Sequence, residues 1–115
     1  MAVSPSFRTF IIEQLGRVVP RIRARSMFGG VGIYAGDVFF ALIDDDTLYF
    51  KVDDVNRPEF VARGMGPFRP YGEGGEEMQY YQVPADLLDD PDALHPWAER
   101  AIAAAGRKKK KARRR

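Results

Sequence analysis

The chain has 115 residues, of which 45% are apolar, including eight Phe, five Tyr and one Trp, and its formal charge is +2. That length fits one domain removing roughly 65% of its unfolded surface from water, and the composition excludes global disorder. With no cysteine and a single histidine, a disulfide framework, thiolate metal sites and a cysteine nucleophile are excluded.

No basic and apolar signal opens the sequence, and its longest aliphatic and aromatic run, "VFFALI", is far too short to cross a bilayer, so a soluble cytoplasmic protein is expected. The first element is a helix in "SPSFRTFIIEQLG". Ser4 is its N-cap, Pro5 takes the first helical position, Phe7, Phe10, Ile11 and Leu15 form its apolar stripe, and Gly16 ends it. The basic stretch "RVVPRIRAR" then reads as a connector broken by Pro20.

Three β-like runs follow, "SMFGGVGIY", "DVFFALI" and "TLYFKV", separated by "AGD" and "DDD". Connections this short demand antiparallel pairing, because a parallel crossover needs a dozen or more residues. "NRPEFVARG" supplies a short helix capped by Asn56, with Glu59 three residues on and Gly64 at its end. Two more strands are expected in "PFRPY" and "EMQYYQVP", around the loop "GEGGEE". The last helix starts with Asp90 as cap and Pro91 at the first position, and buries Leu94, Trp97, Ala98, Ala101, Ile102 and Ala105. Pro96 should kink or restart it, and Gly106 should stop it.

Gly30, Gly32 and Ala35 have the G-x-G-x-x-A spacing of a dinucleotide-binding turn. Such a turn runs from a strand into a helix whose N–H groups meet the pyrophosphate, whereas here a second strand follows. Gly29, Gly30 and Gly32 therefore read as positions of a bulge or close backbone approach, without nucleotide affinity. Asp44, Asp45 and Asp46 fail the calcium-loop pattern, with Tyr49 and Val55 where Gly and Glu would stand, and are assigned to a hairpin turn. His95, the single imidazole, reads as a surface or cap residue. The aromatics Phe28, Tyr34, Phe39, Phe40, Tyr49, Phe50, Tyr80 and Tyr81 lack the interleaved charges of a base-stacking groove and are assigned mainly to the core. No catalytic, cofactor or metal residue is assigned.

The charge is uneven. The last nine residues, "RKKKKARRR", hold eight of the 18 basic side chains, leaving ten basic against 16 acidic groups, or −6, on residues 1–106. The expected organisation is a folded acidic body, 1–106, and a disordered basic tail, 107–115. Arg107, Lys108, Lys109, Lys110, Lys111, Arg113, Arg114 and Arg115 are candidate nucleic-acid contacts, since nine extended residues span roughly 30 Å and can follow several phosphates. The alternative is a terminus that only solubilises.

An ordered series of short pieces carries a family resemblance: Met27-Phe28-Gly29-Gly30, Gly32 with Tyr34, Phe40-Ala41-Leu42-Ile43, Leu48-Tyr49, Lys51-Val52-Asp53, Asn56-Arg57, Tyr80-Tyr81 and Val83-Pro84. Over most of residues 5–106 the sequence resembles the N-terminal domain family of the competence regulator TfoX. The resemblance implies a two-layer α+β domain, an antiparallel five-stranded sheet packed with helices in the order α-β-β-β-α-β-β-α, as the residue patterns also suggest. It further implies a non-enzymatic regulatory or adaptor role in DNA-uptake competence, with a protein partner in the transcription machinery. The family's two-domain members continue into a second domain where this sequence has its basic run.

Overall fold

The computed structural model describes residues 3–27, 29–69 and 78–113, with side chains through residue 108. The first helix, α1 (Pro5–Gly16), begins as the sequence predicts: the Ser4 hydroxyl accepts from the Phe7 N–H at 3.3 Å, and Pro5 follows at the first position. Ile11 and Leu15 are fully buried, and Gln14 beside them donates to the Leu88 carbonyl at 2.8 Å.

Four strands come next, one more than the sequence reading places here: β1 (Ile22–Met27), β2 (Gly30–Ala35), β3 (Val38–Asp44) and β4 (Thr47–Lys51). The supposed connector holds β1, and the supposed first strand splits at residues 28–29 into the end of β1 and the start of β2. In β1, Ile22 and Ala24 alternate with exposed Arg23 and Arg25, a half-buried edge strand whose charges hide its period of two. The two-residue turns are as expected. Gly36 has φ +61°, and Asp45 and Asp46 have φ +51° and +52°, the doubly left-handed turn that matches hairpin twist.

After α2 (Arg57–Ala62) the chain adds β5 (Tyr80–Gln82) next to β4, completing an antiparallel sheet in sequence order β1-β2-β3-β4-β5. Of the expected "PFRPY" strand, Pro67 makes a single antiparallel bridge to Tyr81; residues 70–77, with the glycine-rich acidic loop, lie outside the described residues, as does Phe28. A one-turn helix, α3 (Ala85–Leu88), leads into α4 (Pro91–Arg113), where Asp90 caps by accepting from the Ala93 N–H at 3.2 Å. The order is thus α-β-β-β-β-α-β-α-α, within the expected α+β class and strand count.

α4 holds Pro96 inside a single helix, so the helix does not start afresh there, and it corrects the expected stop: it passes Gly106 to reach Arg113, so the segment expected to be disordered is helical at least that far; Arg114 and Arg115 lie outside the described residues. Pro96, which removes the donor to the Asp92 carbonyl, is exposed, as is Asp92.

The helices α4 and α1 cover one face of the sheet. Leu94, Ala98, Ala101 and Ala105 of α4 pack on Ile33, Phe40, Ala41, Ile43, Leu48 and Phe50, the small residues letting the helix axis approach the large strand side chains. Phe60 of α2 closes the end of this core against Trp97, ring centroids 4.9 Å apart and nearly perpendicular at 85°.

Candidate functional site

In β4 the side chains alternate, Leu48 and Phe50 facing the helices, with Val52 joining the same core just beyond the strand. Lys51 is therefore forced to the opposite side, beside the chain end where β4 stops. It is the one lysine outside the basic run, and it is only 5% exposed. Its ammonium lies 5.2 Å from the centroid of the Tyr80 ring on β5, its cross-strand partner. Among the described residues it has no hydrogen-bonded or ion-paired partner.

The turn after β4 is built by Asn56, 1% exposed. Its amide donates to the Lys51 carbonyl at 3.0 Å and accepts from the Asp53 N–H at 2.8 Å. Asn56 is thus not the side-chain cap of α2 that its position predicts: it satisfies two backbone groups stranded where β4 ends, a stronger demand in a buried site than an exposed helix start. This turn points Asp53 and Asp54 toward α4 and α2 respectively. Arg107 Nε and Nη2 donate to the two Asp53 carboxylate oxygens at 2.6 and 2.9 Å. Arg57 donates to Asp54 at 2.7 Å and to the Gln79 side chain at 2.5 Å.

Between these elements is a cleft of about 630 Å³, walled by Lys51, Arg57, Arg107 and Lys108, by Asp53 and Asp54, and by the apolar Val52, Val55 and Ala104. Its electrostatics are uneven. Burial first, then the nearby Lys108 and Arg57 charges, pull the Lys51 ammonium down to about 8, against an opposing pull from Asp53. Asp53 is held below the usual carboxylate range by its hydrogen bonds from Arg107, which is raised in turn. Tyr80, buried beside Lys51, is pushed up to about 12. Among the described lining residues the cationic groups outnumber the carboxylates, an arrangement that can hold an anion.

The predicted nucleic-acid residues fare differently from one another. Arg107 is tied to Asp53, and Lys108 lines the cleft with Lys51. Lys109, Lys110, Lys111 and Arg113 fall on the helical continuation of α4, which rises about 1.5 Å per residue, so residues 107–113 span about 10 Å instead of an extended reach. The glycine stretch is filled by the protein itself. A Cβ at Gly30 would lie 2.5 Å from the Ile43 carbonyl oxygen, and one at Gly32 2.6 Å from the Met27 methyl carbon. These are the close approaches the sequence suggests, and Gly29 makes its turn at φ +79°. His95 lies on the helix surface with Nε2 3.2 Å from Glu99, one turn on. Among the described residues no group of three or more metal-ligating side chains converges.

Sequence reasoning missed Lys51, Arg57 and Lys108 as one site. The available signal was Lys51 itself, isolated among arginines and out of phase with the apolar alternation of "TLYFKV".

A meander sheet backed on one face by α1 and α4 defines a two-layer α+β domain. A family model described as the TfoX N-terminal domain matches residues 13–105, and the chain belongs to that family. A comparison with curated proteins found no match.

Proposed function

We propose that the chain is a cytoplasmic, non-enzymatic regulatory or adaptor domain of the competence-regulator type, whose acidic body docks a protein of the transcription machinery. The observation that carries this reading is the extent of the family match: it covers residues 13–105 and stops short of the basic run, so what the family shares belongs to the body of charge −6. An acidic body repels nucleic acid and suits a basic protein surface.

The basic end adds non-specific nucleic-acid contact in this proposal, through Lys108, Lys109, Lys110, Lys111, Arg113, Arg114 and Arg115. No helix among the described residues is long and apolar enough to cross a membrane.

Cross-linked affinity capture from the native cell tests the reading. The full chain is compared with a variant carrying glutamine at residues 109–111 and 113–115, which keeps the Arg107 ion pair. Both should capture the same component of the transcription machinery. Capture of none, or capture lost with the glutamine variant, would contradict docking through the body.

A further inference from the structure

The cleft at the end of β4 raises a question that adaptor function does not answer: why a lysine is enclosed there with its ammonium against the Tyr80 ring and, among the described residues, no carboxylate hydrogen-bonded to it. The two arginines are each satisfied by a carboxylate, Arg107 by Asp53 and Arg57 by Asp54. Lys51 and Lys108 line the same space, so among the described lining residues four cationic groups stand against two carboxylates, an excess of two charges. Lys51, a residue 5% exposed, keeps its ammonium against the Tyr80 ring, and burial and the nearby Lys108 charge both disfavour its charged form. A structural role would be served as well by methionine, which fills the same volume without the charge.

We propose that the cleft is a binding site for a small phosphorylated molecule, with Lys51 and Lys108 as the groups that contact its phosphoryl dianion. Two charges on the ligand match the excess of two in the cleft. A phosphate monoester also fits the wall. Among the apolar lining residues Val55, 68% exposed, offers its surface to the organic part, while Val52 and Ala104 are each 1% exposed. The volume of about 630 Å³ lies within the range of small-molecule sites and suits a mononucleotide-sized ligand. Arg57 and Arg107 keep their carboxylate partners and fix the walls, while the two lysines supply charge without a fixed geometry. The site is separate from the glycine-rich hairpin, whose close approaches leave no room for a phosphate. It is also independent of the adaptor reading, since a body that docks no protein would still present this cleft.

NMR titrations of the full-length protein with inorganic phosphate and with AMP, at matched ionic strength and pH 7, test the proposal. Acetate serves as the singly charged comparison. Saturable shifts are expected at residues 51–57, 79 and 104–108, with AMP tighter than phosphate and acetate without effect. Lys51→Met should weaken both phosphates at least tenfold, and Lys108→Gln severalfold, while Arg23→Gln on distant β1 should leave binding unchanged. Bound phosphate should also move the Lys51 ammonium titration upward, which a purely structural lysine would not show. Absence of saturable shifts, equal affinity in Lys51→Met, or shifts spread over arginines outside the cleft would overturn the proposal.

Discussion

Lys51 and Gly30 show two ways in which one strand position is fixed by what lies across from it. Lys51 lies between core residues, yet its ammonium is depressed to about 8 against an unfolded value of 10.5. The unfolded chain therefore binds more protons between those two pH values, so this group adds stability as pH rises through the window and contributes no slope below it. We predict that the stability of the native protein relative to Lys51→Met improves from pH 7 to pH 10, read as the difference in urea midpoints; a difference independent of pH would contradict the assignment. At Gly30 the obstacle is the backbone carbonyl of Ile43, which cannot swing aside as a side chain can. Gly30→Ala should cost about 1–3 kcal/mol, a fall in Tm of about 5–15 °C, whereas Gly66→Ala, with open space, should change little. Neither environment can be read from local sequence alone. The hairpin glycines announce a close approach without naming the Ile43 carbonyl, and Lys51 is enclosed by Tyr80 and the end of α4, which come together only in the fold.

Among the elements, what the sequence made legible were those whose signals are local and concordant. Ser4 with Pro5, the aspartate turn and Asp90 with Pro91 all agree with the structure because cap and turn chemistry acts within three or four residues. β1 was hidden because Arg23 and Arg25 occupy its open side, and Tyr34 on β2 receives one of them, the Arg23 guanidinium 5.6 Å from its ring. The end of α4 is not legible because Gly106 carries the signal of a helix stop that the helix overrides. In a helix already held to the sheet by Ala101 and Ala105, and fastened one residue later by Arg107 to Asp53, a single glycine is a tolerable weakness. Its Cβ position is open, so Gly106→Ala should stabilise by about 0.5–1 kcal/mol and raise Tm by about 2–6 °C in thermal unfolding. A fall in Tm would mean that the helix does not continue through this position.

For the whole molecule, the sequence divides by charge into residues 1–106, at −6, and a basic end. The core cluster reaches no further than Ala105, so residues 1–106 should still unfold cooperatively, with Tm lowered by a few degrees through loss of the partly exposed Arg107–Asp53 pair. Loss of the transition would place the basic segment within the core. With Arg107 engaged, at most seven cations remain for duplex phosphates, and fluorescence anisotropy should give a log-log salt slope no steeper than about −6 with little sequence preference. Equal binding by the truncated chain, or none at low salt, would remove nucleic-acid contact from the account. The proposed regulatory role is tested most directly by measuring transcripts of the DNA-uptake genes in the native cell after deletion of this protein. The account predicts that their levels change and are restored both by the native chain and by the variant with glutamine at residues 109–111 and 113–115. Unchanged transcripts, or restoration by the native chain only, would contradict regulation through the body.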